Sequence, residues 1–314
     1  MDNNIVETIK CKNVLTFTGG GALSFVEVGI LQSILIKNPN IKFEAAYGIS
    51  GGALLAAIVS YFTDYTEAIN YIINSNFTNS SVYSFIPFTS TSLLNTEPLR
   101  KTIIKLFTEL ETNQIKGVDI NNKIPCYVGA TCLNSGLMEY YDIHTFHSID
   151  KKVDLLMASS AIPIIFPYIS IKDLIYNGTS HTYVDGGVTQ TDLLNEIFIN
   201  CGDVEVNIYY ITYTNPYLDV KNDEYFNGIY GLFNVLYRIL TVMVKTYGRE
   251  VTSISSIEYK GVRNKHSKKV TLIVNYGTKP VNFLLDVLQI SKYKIFIENG
   301  FKHNADRIFD MSMF

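Results

Sequence analysis

Short apolar runs that end in glycine give the first part of this chain its pattern. Residues 13–18 are β-branched or aromatic and predict a buried strand, and residues 43–47 predict a second one. Each run leads through a glycine-containing turn into a segment that is apolar on most faces, residues 22–36 and 53–59. Such segments predict helices packed in the interior. The pattern therefore predicts two successive strand–turn–helix units and an α/β fold.

The remaining segments predict further helices and strands. Helices are expected at residues 64–73, 96–110, 153–161 and 282–299, strands at 125–131 and 137–143, and a hairpin over 171–184 around Asn177-Gly178. Residues 74–95 are rich in Ser, Thr, Asn and Phe and predict a loop. In an open sheet of this class, binding sites form at the carboxyl ends of the strands.

The amino-acid composition argues against several classes of function. With 314 residues, 47% of them hydrophobic and 18% charged, the chain can bury a large core, and its net charge of −3 gives no electrostatic case for nucleic acid. The cysteines show no paired spacing that would predict a disulfide framework or a metal site: Cys11, Cys126, Cys132 and Cys201. No protein partner and no cofactor is evident from these features.

Targeting signals are also absent from the pattern. The first residues lack the basic and apolar regions of a signal peptide. The most apolar long segment, residues 228–247, contains Asn234, Arg238 and Lys245, which argues against a membrane span. We therefore expect a cytoplasmic or peripheral membrane protein.

The second strand–turn–helix unit carries Gly48-Ile49-Ser50-Gly51-Gly52. A G-x-S-x-G sequence between a strand and a helix predicts a nucleophile elbow, with the serine hydroxyl exposed at the end of the sheet. Gly48 and Gly52 suit the close approach of strand and helix. The alternative is a glycine-rich turn in which Ser50 caps the helix.

The first unit carries Gly19-Gly20-Gly21 between its strand and its helix. Glycines at this place aim backbone N–H groups at an anion. The spacing is not G-x-G-x-x-G and no G-K-[ST] follows, which argues against a nucleotide site. With Ser50 only about thirty residues further on, an oxyanion hole is the better interpretation.

A candidate carboxylate stands at the end of a later strand, in Asp185-Gly186-Gly187. An aspartate in this place projects into a site at the edge of the sheet, although an ordinary Asx-turn has the same sequence pattern.

Together these motifs and the segment Ser160-Ala161-Ile162-Pro163 resemble the patatin-like phospholipase family in order and spacing, from about residue 11 to 215. The resemblance implies a three-layer α/β/α fold with a mostly parallel central sheet. It implies a single domain over residues 1–314, with a catalytic core at about 11–215 and an extension of helices and strands at about 216–314.

The resemblance also implies the chemistry. Ser50 is expected to be the nucleophile and Asp185 the general base of a dyad without histidine. The oxyanion and substrate-binding groups are then Gly19, Gly20, Gly21 and Gly51, and the motif glycines are Gly48, Gly52, Gly186 and Gly187. Such an enzyme cleaves acyl esters of lipids at a membrane surface, and its dyad needs no calcium, other metal or cofactor.

The sequence departs from the family pattern at two places, and alternative functions stay open. The stretch Ala22-Leu23-Ser24 stands where the family has a basic residue followed by a glycine, and Thr189–Leu193 lacks the family's asparagine and proline. An acyltransferase or a soluble-ester esterase could use the same dyad, and a non-catalytic lipid-binding protein could share the fold.

Two further alternatives, a catalytic triad and a metal site, would involve histidine. A conventional triad would take its histidine from positions after Asp185, which leaves His266 or His303, both in polar segments. His144 and His147 lie three residues apart without a third ligand candidate, so no metal site is expected there.

Residues 229–244 are a candidate membrane-contact segment, because Phe233, Leu240 and other apolar residues recur there at helical spacing. The alternative is that this segment covers the sheet.

Overall fold

The structure is a computed structural model, and it describes residues 13–75, 84–85, 92–112, 114–172, 180–190, 193–201, 205–213, 270–279 and 288–310. Several features of interest lie outside these ranges: the Asn177-Gly178 turn, residues 228–247 and His266. Most of the predicted loop at 74–95 and of the extension at 216–314 also lies outside them.

Strands and helices alternate through the described part of the chain. The strands are β1 (Asn13–Phe17), β2 (Ala45–Ile49), β3 (Ser84–Phe85), β4 (Leu94–Asn95), β5 (Cys126–Cys132), β6 (Leu137–Asp142), β7 (Ile169–Lys172), β8 (Ser180–Asp185), β9 (Val206–Thr212), β10 (Val270–Gly277) and β11 (Asn304–Asp310). The helices are α1 (Ser24–Lys37), α2 (Gly51–Val59), α3 (Tyr65–Asn74), α4 (Glu97–Glu111), α5 (Ile149–Ser159), α6 (Leu194–Cys201) and α7 (Tyr293–Lys302).

Nine of these strands form one mixed sheet, in the order β11-β10-β9-β1-β2-β5-β8-β7, with β6 paired to β5. Strands β10, β9, β1, β2 and β5 are parallel to their neighbours in this series. The pairings of β11, β6, β7 and β8 are antiparallel. The expected parallel sheet is therefore the centre of the molecule, and antiparallel strands extend it on both sides.

Helices cover both faces of the sheet. Alternate residues of a strand point to opposite faces, and Leu15 and Phe17 of β1 pack in one core cluster while Val14 packs in another. Helices α1 to α5 and α7 contribute to the first cluster, and α6 contributes to the second. This arrangement confirms the three-layer α/β/α prediction.

Strand β5 aligns the ends of two other strands. Along one of its edges, Gly129 pairs with Ile49, the last residue of β2, and the next residue, Ala130, pairs with Asp185, the last residue of β8. The other edge is occupied by β6. Because β2 is parallel and β8 antiparallel to β5, the two strands point toward each other, and their carboxyl ends meet.

The predicted C-terminal helix over residues 282–299 is wrong in its boundaries. The described part has a turn at 288–289, a short 3-10 segment at Ile290–Lys292 and then α7 from Tyr293 to Lys302. The segment after α7, predicted to be a polar tail, is the edge strand β11. Polar residues are tolerated there because an edge strand of an antiparallel pair faces water.

Within the part of the chain that the structure describes, none of the helices combines the length and the apolar character that crossing a membrane requires.

Candidate active site

Ser50 occupies a sharp turn between β2 and α2, as the sequence predicts. Its backbone has φ 56° and ψ −133°, a conformation that residues with a side chain rarely adopt. The neighbouring backbones are in close contact, since a Cβ on Gly48 would lie 2.4 Å from the carbonyl oxygen of Gly52. Strand β2 begins and ends two residues later than predicted, so it leads directly into the turn.

The Ser50 hydroxyl meets Asp185 at this turn. Ser50 Oγ donates a hydrogen bond to Asp185 Oδ2 at 2.7 Å, and both residues are buried, with 8% and 6% of their surfaces exposed. The other carboxylate oxygen, Oδ1, accepts from the N–H of Gly187 at 2.8 Å. Burial raises the pKa of Asp185 to about 6, against the lowering effects of these two hydrogen bonds.

Two side chains that the sequence did not single out hold the pair in place. Ser159, at the end of α5, accepts from the N–H of Ser50 at 2.9 Å and donates to the carbonyl of Gly129 at 2.6 Å. Thr131 of β5 donates from Oγ1 to the carbonyl of Asp185 at 2.9 Å. Both are buried, and only the tertiary structure shows that they lie next to the site.

The glycine turn after β1 lies against Ser50. A Cβ on Gly19 would lie 2.3 Å from the carbonyl oxygen of Ile49 and 3.0 Å from Ser50 Cβ, and Gly19 has φ 80°. Its N–H, however, donates to Glu27 Oε1 at 3.2 Å. The oxyanion-donor role that the resemblance implies for Gly19 does not fit this arrangement, because that N–H already has a carboxylate acceptor.

Glu27 is a buried carboxyl group on α1 that also accepts from Thr18, through the backbone N–H at 3.2 Å and through Oγ1 at 2.7 Å. Burial raises its pKa well above the ordinary value, although the donors Thr18 and Gly19 act in the opposite direction. Glu27 therefore holds the start of the glycine turn in place by accepting these hydrogen bonds. The sequence pattern of α1 did not indicate this role for Glu27.

Three other backbone donors remain candidates for the oxyanion. Among the described residues, the N–H groups of Gly20 and Gly21 have no hydrogen-bond acceptor. Gly51 is the first residue of α2, where helical N–H groups have no partner within the helix. Gly51 also lies against the buried Ser24, whose hydroxyl has no hydrogen-bond partner in the described part of the structure.

The position of Leu23 clarifies one departure from the family pattern. Leu23 carries no charge that could bind an anionic head group, and its side chain is fully buried in the core.

The histidines of the described residues do not contact the pair. His303 follows α7 at the start of β11, four strand spacings from β2, or roughly 19 Å. His144 Nε2 forms a hydrogen bond with Ser60 Oγ at 2.8 Å. Burial lowers the pKa of His144 to about 3.

The sequence spacing of the cysteines and histidines predicts no metal-ligand set, and the structure brings one group of potential ligands together from separate strands. Cys132, Glu139 and His181 come together on one face of the sheet, with their potential ligand atoms within 4.8 Å of one another. They belong to three different strands, so no local spacing could predict the group.

A comparison with protein families agrees with the motifs. The family model described as patatin-like phospholipase matches residues 15–195. Among solved structures, the chain is similar to VipD from Legionella pneumophila, with 13% sequence identity and a TM-score of 0.44, covering 95% of this chain and 68% of that one. No curated protein matches the chain.

Proposed function

Because the chain belongs to the patatin-like phospholipase family, we propose that it hydrolyses acyl esters of lipids with Ser50 as the nucleophile and Asp185 as the general base. Membership of the family supports lipid acyl hydrolase activity in general. The observation that supports this mechanism is the 2.7 Å hydrogen bond from the Ser50 hydroxyl to a buried carboxylate.

The raised pKa of Asp185 suits a general base. An ordinary carboxylate is a weak base, whereas one with a pKa of about 6 binds a proton more strongly and is still largely ionised at neutral pH. In the first step Asp185 Oδ2 takes the hydroxyl proton while Ser50 Oγ attacks the carbonyl carbon of the ester. A serine hydroxyl needs such a base to become a good nucleophile.

The oxyanion of the tetrahedral intermediate then needs donors close to Ser50. The N–H groups of Gly20, Gly21 and Gly51 are the candidates, because each is a backbone donor beside the elbow. When the intermediate collapses, the C–O bond to the alcohol breaks, and the proton on Asp185 passes to the leaving oxygen. The acyl group stays on Ser50.

Water completes the reaction. Asp185 takes a proton from a water molecule, the water oxygen attacks the acyl carbon, and the bond to Ser50 Oγ breaks as Oγ regains a proton. The products are a free fatty acid and the alcohol part of the lipid. An acceptor alcohol in place of water would give an acyltransferase, so the products distinguish these two activities.

A fluorophosphonate probe with product analysis tests the proposal. The purified protein should be labelled at Ser50 and should release fatty acid from a panel of phospholipids, lysophospholipids and triacylglycerols. Ser60→Ala is the matched control, because Ser60 is a buried serine that does contact a histidine. It should label like the wild type, and Ser50→Ala should not label. Folded protein that neither labels nor releases fatty acid would instead indicate a lipid-binding protein.

A further inference from the structure

Three side chains of the kinds that bind metal ions come together from three strands, away from the Ser50–Asp185 pair. They are Cys132 of β5, Glu139 of β6 and His181 of β8, and Cys132 Sγ lies 3.9 Å from His181 Nδ1. Cys132 is fully buried, and the other two are partly buried. A thiol, an imidazole nitrogen and a carboxylate therefore converge at the edge of a packed core.

The register of the strands explains this convergence. Cys132 pairs with Leu137 on one side and with Tyr183 on the other. Glu139 is two residues after Leu137, and His181 is two residues before Tyr183. Because side chains two residues apart on a strand share a face, all three point to the same face of the sheet.

We propose that Cys132, Glu139 and His181 bind a zinc ion. Zinc accepts sulfur, nitrogen and oxygen ligands, and three protein ligands leave a fourth tetrahedral position for water. Bond lengths of about 2.0–2.3 Å place neighbouring tetrahedral ligand atoms roughly 3.4–3.6 Å apart. The present separation of 3.9 Å between sulfur and nitrogen is a few tenths of an ångström longer, which side-chain rotation can close.

The carboxylate is already oriented as a metal ligand requires. The hydroxyls of Tyr141 and Tyr183 both donate to Glu139 Oε2, each at 2.7 Å. The other oxygen, Oε1, accepts a long contact of 3.5 Å from Ser135 Oγ, and the Cys132 thiol also hydrogen-bonds to the Glu139 carboxylate. Metal-ligating carboxylates are commonly held by such outer hydrogen bonds, and the two tyrosines supply them here.

The proposed ion would join β5, β6 and β8 at one point. His181 lies four residues before Asp185 on β8, and the register of β8 on β5 sets where Asp185 meets Ser50. The ion would therefore stabilise this part of the sheet and would take no part in the acyl-transfer chemistry. As zinc binds, the Cys132 thiol loses its proton to solvent and the sulfur–zinc bond forms.

Titration of the full-length protein with cobalt and zinc tests this proposal. The protein is stripped with a chelator, desalted and titrated with Co²⁺, whose thiolate complexes absorb in the near ultraviolet. We expect one equivalent of Co²⁺ to give this absorption, Zn²⁺ to displace it, and Zn²⁺ to raise the melting temperature. Tyr183→Phe should weaken binding by about 10- to 100-fold because it removes one outer hydrogen bond.

Matched variants separate this group from other cysteines and histidines. Cys132→Ser should abolish the thiolate band and His181→Gln should weaken it strongly, whereas Cys201→Ala and His147→Gln should leave it unchanged. His181 is only partly buried, so its variant is informative even if Cys132→Ser folds poorly. Folded wild-type protein without a cobalt–thiolate band, or binding that persists in His181→Gln, would overturn the proposal.

Discussion

Ser50 and Asp185 act on each other through one short hydrogen bond, and neither has a histidine partner among the described residues. Residues that work as a single unit give losses that do not add. We therefore predict that Ser50→Ala and Asp185→Ala each reduce kcat by about 10⁴-fold, and that the double variant is little worse than either single one. Steady-state kinetics on a soluble ester measure all three.

The histidine variants are the controls for this prediction. His303→Ala and His266→Ala should retain nearly full activity. A loss of more than about 100-fold in either one would mean that a histidine serves as the base, as in a conventional triad.

The pKa of Asp185 predicts a pH profile. A general base must be ionised, so kcat/KM should fall on the acid side, about tenfold per pH unit below a midpoint near 6. Because a histidine could titrate in the same range, the profile is also measured for His303→Ala, which should superimpose on the wild type. A midpoint near 4 would show that Asp185 is not desolvated in the free enzyme.

At the scale of elements, α1 supports the glycine turn through Glu27. Without this acceptor the N–H groups of Thr18 and Gly19 lose their buried partner, and the turn shifts relative to Ser50. We predict that Glu27→Ala lowers kcat by about 100-fold with a smaller effect on KM, since misplaced donors act mainly in the transition state.

Glu27→Gln keeps the shape and one acceptor oxygen, so it should recover much of the lost kcat. If Glu27→Ala and Glu27→Gln lost stability equally while kcat stayed normal, Glu27 would serve only to stabilise the fold.

The turn between β5 and β6 is a second element with a predicted role. Leu133 and Leu137 flank it with 53% and 66% of their surfaces exposed, and β5 reaches it four residues after Gly129, the partner of Ile49. The turn therefore lies at the Ser50 end of the sheet. We predict that Leu133→Ser with Leu137→Ser lowers activity on phospholipid vesicles about tenfold or more, because less apolar surface enters the membrane.

Activity on a soluble short-chain ester should be unchanged in this double variant. Ile36→Ser is the matched control, because Ile36 is 65% exposed but lies at the far end of α1, away from Ser50. If vesicle activity were normal in the double variant, the membrane contact would have to be sought in residues 229–244, outside the described part of the chain.

At the scale of the whole molecule, we predict that the buried Asp185 carboxyl group reduces the free energy of unfolding at neutral pH. The pKa of Asp185 is raised on folding, so its contribution favours the folded state below pH 4 and is lost as the pH rises through about 6. The difference between about 6 and the ordinary 3.8 corresponds to about 3 kcal/mol.

Asp185→Asn should therefore unfold at higher denaturant concentration than the wild type at pH 7, and this difference should disappear near pH 4. Chemical denaturation at the two pH values measures it. Asp150→Asn, at an exposed aspartate, should change stability by less than about 0.5 kcal/mol at either pH. Equal stability of Asp185→Asn and wild type at pH 7 would contradict a desolvated carboxylate.

The sequence by itself determined the features that depend on neighbouring residues. Apolar runs, glycine pairs and helix patterns are local, so both strand–turn–helix units and the parallel centre of the sheet could be predicted. The order of the motifs also indicated the family, and with it Ser50 and Asp185 as candidates.

Only the tertiary structure decided which distant groups meet. Ser50 and Asp185 are 135 residues apart, and they meet because Gly129 and Ala130 of β5 align the ends of two strands. The same kind of pairing brings Cys132 next to Glu139 and His181. Strand register depends on hydrogen bonds between segments far apart in the chain, so no local pattern of residues contains it.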